Sequence, residues 1–149
     1  MVEKTAREIL NEELTALRER IASNIMSAGM NASGRTIASM RVEVNENEGT
    51  LFGRRAFEVL ESGRRPGRVP KGFYQIIYQW AIDKRIRVRN LKSFAYLTAR
   101  KIAREGTLLY REGGRNDIYT PEIRKCIENV RSRGISMINE QIKTIRLHD

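Results

Sequence analysis

Apolar residues recur at intervals of three and four along the start of the chain, at Ala6, Leu10, Leu14, Leu17, Ile21 and Ile25, with Glu and Arg between them. That is the period of one helix face and predicts a helix over 3–28. Gly29 and the Asn31-Ala32-Ser33-Gly34 cluster supply the turn chemistry that ends it. A helix with a single apolar stripe buries it against another element or another subunit.

From about Ile37 the period falls to two. Met40, Val42 and Val44 alternate with Arg41, Glu43 and Asn45, as in a half-buried strand. Asn45-Glu46-Asn47-Glu48-Gly49 is a polar turn, and Thr50-Leu51-Phe52 and Ala56 to Leu60 read as further β runs, so 37–60 is expected to be an antiparallel hairpin or small meander. The next stretch, 61–72, holds three glycines, two prolines and four basic residues, which predicts an exposed loop.

Helical spacing then returns. Phe73, Ile76, Ile77, Trp80 and Ala81 share a face over 73–84, with Tyr74 and Tyr78 on the exposed side; Phe94, Leu97 and Ile102 follow over 93–105, and Gly106 is the stop. Residues 107–119, with Gly113-Gly114, read as a loop. Thr120 as N-cap, Pro121 at the first helical position and Glu122 in the first turn open a final helix over 121–147. Its apolar positions form two patches, Ile123, Ile127 and Val130, then Ile138, Ile142 and Ile145, parted near Gly134, a place for a bend or break. Short adjacent strands flanked by helices indicate an α+β fold, and 149 residues fit a single domain.

Charge changes this picture by its position. Of 28 basic and 18 acidic residues, the segment 54–104 carries 14 basic against three acidic, a balance of +11, whereas the rest of the chain is near neutral at −1. A segregated basic field suits nucleic acid, an acidic membrane surface or an acidic protein, unless it is only a solvated face. The aromatics interleaved with it, Phe73, Tyr74, Tyr78, Trp80, Phe94 and Tyr96, are the residues that would stack on bases, although most fall on core positions. No apolar run approaches the roughly 18–20 residues of a membrane span, and no export leader is recognisable. One cysteine permits no internal disulfide and fits synthesis in a reducing cytoplasm.

The candidate chemistry is sparse. His148 lies next to the terminus, Cys126 reads as a packed thiol within the last helix, Glu12-Glu13 falls on a solvated helix face, and Glu43, Glu46 and Glu48 line a turn. No metal set, acid–base pair or phosphate-cradling glycine loop is legible. The expectation is a non-enzymatic protein without catalytic residues, cofactor or metal.

The stretch Ala56-Phe57-Glu58-Val59-Leu60-Glu61-Ser62-Gly63-Arg64-Arg65-Pro66-Gly67-Arg68-Val69-Pro70 resembles a strand-to-loop region of the tail-completion, or head–tail connector (neck), proteins of lambda-like tailed bacteriophages. There a hydrophobic strand ends in a Glu-small-Gly element followed by a Pro/Gly/Arg loop. Trp80-Ala81-Ile82-Asp83-Lys84 resembles the family's Trp-containing helix, and Ile102-Ala103-Arg104-Glu105-Gly106 its Ile-x-x-x-Gly helix terminus. The likeness covers about 33–107, and the Tyr110 to Tyr119 stretch is longer and more polar than it leads one to expect.

The resemblance implies a ring-forming structural component of the virion, made in the host cytoplasm and placed where portal or adaptor proteins meet the tail. Repeated around such a ring, Arg64, Arg65, Arg68 and Lys71 would face either packaged DNA in a channel or acidic surfaces of neighbouring rings. Leu10, Leu14, Leu17, Ile138, Ile142 and Ile145 are the candidates for subunit contacts, with burial in the chain's own core as the alternative. Cytoplasmic nucleic-acid binding by the basic segment is the other functional reading.

Overall fold

The computed structural model describes residues 4–143. Ile145 and His148, singled out above, lie outside them. The architecture is α+β: a long N-terminal helix, a two-stranded antiparallel sheet, a helical hairpin and a long C-terminal helix.

Helix α1 (Ala6–Ser27) starts at a capping box, in which the Thr5 hydroxyl accepts from the Glu8 N–H and the Glu8 carboxylate accepts from the Thr5 N–H. Its stripe is buried at Ile9, Leu17, Ile21 and Ile25. The chain then makes one helical turn, α2 (Arg35–Ala38), where a strand was expected to begin; the β1 strand (Arg41–Val44) starts only after the buried Met40. It pairs with β2 (Gly49–Phe52), with Val42 opposite Leu51 and Val44 opposite Gly49. The hairpin lies on α1. Asn45 organises the turn, its side-chain oxygen accepting from the N–H groups of Asn47 and Glu48.

The expected third β run is instead a 3₁₀ turn, Arg55–Glu58, that continues into α3 (Val59–Ser62). Spacing explains the correction. Leu60 and Glu61 follow Phe57 by three and four residues, and a helical path turns all three inward, with Phe57 stacked on Tyr119 at 5.1 Å and Leu60 in the core.

Helices α4 (Phe73–Asp83) and α5 (Leu91–Glu105) form an antiparallel pair with its own small core of Phe73, Ile77, Ala95 and Ala99. The α5 helix begins earlier than expected because Asn90 caps it, accepting from the Ser93 N–H at 3.0 Å. Two assignments on α4 are corrected. Ile76 and Trp80 are exposed, whereas Tyr74 and Tyr78 are half-buried against that core, with Tyr74 in contact with both Tyr78 and Tyr96. The small side chains of Ala95 and Ala99 let α5 approach the Tyr side of α4 and leave the Trp80 edge open.

Residues 107–119 are more ordered than a plain loop. They contain a short helix, α6 (Leu108–Arg111), and return Ile118 to the core at 1% exposure. The last helix, α7 (Thr120–Lys143), passes through Gly134 without a break. A glycine there costs only about 1 kcal/mol, and α7 is held along α1 on the N-terminal side of that position. Arg133 reaches both Glu12 (2.7 Å) and Glu13 (2.9 Å), Asn129 donates to Glu13, and Arg20 pairs with Glu122 at 2.7 Å. Glu12 and Glu13 are therefore partners of α7 rather than a solvated pair. Leu17, Ile21 and Ile25 meet Met40, Leu60, Ile118 and Cys126 in the main core, each large aliphatic side chain contributing roughly 1.5–3 kcal/mol.

Candidate functional site

The predicted basic loop hangs from one buried junction. At its start, Glu61 is only 7% exposed although it is a carboxylate. One of its oxygens accepts from the N–H groups of Ile118 (3.1 Å), Tyr119 (2.8 Å) and Thr120 (2.9 Å), and the other accepts the Thr120 hydroxyl. Thr120 is the first residue of α7 and its N–H is one that a helix start leaves unsatisfied, while Ile118 and Tyr119 are the two residues that lead into it. The cap of the last helix is thus Glu61, about sixty residues upstream, and the expected N-cap, Thr120, is a donor to it. Burial alone would raise the Glu61 pKa; the Thr120 hydroxyl and the three backbone donors outweigh it and hold the carboxyl below its ordinary range. The same charge, after burial itself, raises the Tyr119 phenol.

Past Glu61 the junction needs glycine. Gly63 has φ of 71°, and a Cβ there would collide with the backbone nitrogen of Tyr110 and lie 2.7 Å from Thr107 Oγ1. Gly106, at φ 84°, would bring a Cβ to 2.7 Å from the Arg64 carbonyl oxygen. Across this approach Arg64 N–H donates to Thr107 Oγ1 and Thr107 N–H donates to the Arg64 carbonyl, both at 3.0 Å. Gly67 N–H donates to the Ala103 carbonyl at 2.8 Å. Two of the stretches singled out in the sequence, 56–70 and 99–107, are therefore hydrogen-bonded to each other.

The four loop cations divide. Arg64 is half-buried, with its guanidinium 5.1 Å over the Phe73 ring and one N–H on the Arg68 carbonyl, so it braces the loop. Arg65, Arg68 and Lys71 are exposed and make no ion pair among the described residues. A second exposed set, Arg85, Arg87 and Arg89, lies in the α4–α5 connection at the opposite end of the helical hairpin, and Arg100, Lys101 and Arg104 line the outer side of α5. This outer row follows from α5 spacing once Ala95 and Ala99 are known to face inward.

Beside the junction runs a groove of about 590 Å³ between the α4–α5 hairpin and the α3–α6 side of the molecule. Val59, Ile77, Trp80, Ile102, Leu108 and Leu109 make it apolar; Arg64, Lys101 and Arg111 are its charged lining residues, and no Asp or Glu lines it. Nothing in the sequence periodicity pointed to this groove, because its walls come from four separate elements.

The candidates for subunit contact also divide. Leu17 is buried and Leu14 packs on the main core, so these two α1 positions serve the chain's own interior; Leu10 is half-buried beside them. Ile138 and Ile142 are about half exposed, as are Ile127 and Ile135 on the same helix. Cys126 is buried, its thiol directed at the Glu13 carbonyl at 3.7 Å, and burial together with Glu13 pushes its pKa up, away from thiolate. Among the described residues no three His, Cys, Asp or Glu side chains converge as a metal site, and no helix is long and apolar enough to cross a membrane. No family model, curated protein or solved structure matches the chain.

Proposed function

We propose that this protein is a non-enzymatic assembly component: a ring-forming head–tail connector or tail-completion protein that joins portal or adaptor proteins to the tail of a phage particle. One observation carries the assembly reading. The α7 helix has one face occupied by α1, while Ile127, Ile135, Ile138 and Ile142 form a second apolar row, about half exposed, that nothing among the described residues covers. A row spanning about four turns on an already packed helix is what a subunit contact requires. The connector character rests on the resemblance of 56–70, 80–84 and 99–107; within it 56–60 is helical rather than the strand of the family pattern, and the hydrogen-bonded junction between 64–67 and 103–107 supports the reading by giving those stretches a common structural role. The exposed loop cations then line a ring surface facing DNA or acidic neighbours.

Negative-stain electron microscopy and native mass spectrometry of the purified protein, with a search for it in purified phage particles, test the proposal. Closed rings and presence in the particle are expected. A stable monomer absent from particles would sink it.

A second reading, free nucleic-acid binding, is favoured by Arg65, Arg68, Lys71, Arg85, Arg87 and Arg89, all exposed and without acidic partners among the described residues. It predicts affinity that falls steeply with salt.

A further inference from the structure

The groove between the α4–α5 hairpin and the α3–α6 side has apolar walls and a charged edge, all drawn from these elements and the segments beside them. Its floor is buried Ile77 and Leu60, while its lip leaves Trp80 39%, Val59 40% and Leu108 59% exposed. Apolar side chains held at the mouth of a groove carry a solvation cost that an occupant would remove. The charges beside them are of one sign. Lys101 makes no ion pair, Arg111 only reaches Glu105 at 3.8 Å, and Arg64 is braced on Phe73 at 5.1 Å with its charge unneutralised.

We infer that this groove docks an amphipathic helix of a partner protein whose apolar face enters the Trp80–Leu108 cleft and whose flanks carry Asp or Glu. Charge complementarity selects this occupant. Polynucleotide phosphate would meet the cations but leave the aliphatic walls uncompensated. A second copy's α7 row carries exposed Arg124 and Arg131 against a single exposed carboxylate beside it, Glu128, so its balance is basic and sets like charges against Lys101 and Arg111. A helix with apolar anchors one turn apart and acidic flanks satisfies both the walls and the rim, as in helix-in-groove recognition. The inference does not depend on ring closure, since every lining residue belongs to one chain.

Trp80 is the only tryptophan and lies in the groove, so its emission reports occupancy directly. The probe is a synthetic peptide of about four helical turns, with Leu at helical spacing and Glu elsewhere, and its counterpart with every Glu replaced by Lys. The acidic peptide is expected to blue-shift Trp80 emission and to bind at least ten-fold tighter than the basic one, the difference shrinking with salt. Leu108→Glu should abolish the shift, and Lys101→Glu with Arg111→Glu should invert the preference between the peptides; all three positions are exposed, and circular dichroism verifies that the variants fold. Equal response to both peptides, or none, overturns the inference. So does a shift produced only by palmitate, which assigns the groove to a small apolar anion, or by raising the protein's own concentration, which assigns it to a second copy. Ring formation can fail while the peptide result holds, and the converse, so the two proposals are separable.

Discussion

The Glu61 carboxylate accepts both the hydroxyl and the backbone N–H of Thr120, and so caps the last helix from the middle of the chain. Removing it leaves the Ile118, Tyr119 and Thr120 N–H groups without their acceptor. Glu61→Ala should cost about 2–4 kcal/mol, since it orphans several donors in a buried place, whereas Thr120→Ala should cost about 1 kcal/mol. The double variant should lose less than the sum, because the residues share one interaction. Urea unfolding measures all three; strict additivity would mean that the hydroxyl and carboxylate do not cooperate.

The same carboxyl sets an acid limit. Its folded pKa is depressed, chiefly by the Thr120 hydroxyl and the backbone donors overcoming burial. A group of this kind contributes stability that is fully present above its unfolded pKa, about 4.3, and is lost as pH falls through the folded value. The melting temperature is therefore expected to decline below that range, and Glu61→Gln should decline less steeply there. An identical acid slope in the variant would assign the effect to other carboxylates.

Glycine substitutions should separate by geometry. Gly63→Ala and Gly106→Ala meet backbone atoms at positive φ and should each cost about 1–3 kcal/mol. Gly134→Ala, in the interior of α7 with open space around its Cβ, should gain about 0.5–1 kcal/mol. Thermal denaturation reads both signs, and a destabilising Gly134→Ala would count against a regular α7.

The loop cations should differ in kind. Arg65, Arg68 and Lys71, changed to Ala together, are expected to leave stability within about 0.5 kcal/mol, and Arg64→Ala to lower it through its lost contacts with Phe73 and the Arg68 carbonyl. If the loop binds DNA, the triple variant also weakens binding and flattens its salt dependence. Unchanged binding and slope would exclude the loop from that contact.

Ile138→Ser with Ile142→Ser should leave the monomer fold intact, since both side chains are about half exposed, while lowering any oligomer to monomer. Sedimentation velocity distinguishes the outcomes; rings that survive the change would move the subunit contact off α7.

Local pattern made much of the fold legible. The α1 stripe, the alternation of Met40, Val42 and Val44, the Pro/Gly-rich loop and the Thr120-Pro121 start each depend on neighbours within a turn or two, and each element formed close to its expected place. The Ala56–Leu60 run misled because five residues, four of them apolar, fit either a strand or a helix turn, and contact with Tyr119 and the core decided between them. The division of the aromatics on α4 depended likewise on α5, whose Ala95 and Ala99 open one side to close packing.

The position of the positive charge and the irregular backbone of the Pro/Gly-rich loop could be read directly, because charge and backbone freedom belong to residues one at a time. The roles could not. That Glu61 caps α7, that Arg64 braces while Arg65 and Arg68 project, that Leu17 is core while Ile138 is surface, and that Trp80 opens on a basic-rimmed groove all depend on pairs far apart in sequence. The sequence alone therefore determined which elements form and where the cations lie along the chain. Only the tertiary structure decided which charges are spent internally and which apolar faces are left uncovered, because burial and electrostatic compensation are set by what packs against a residue from another element.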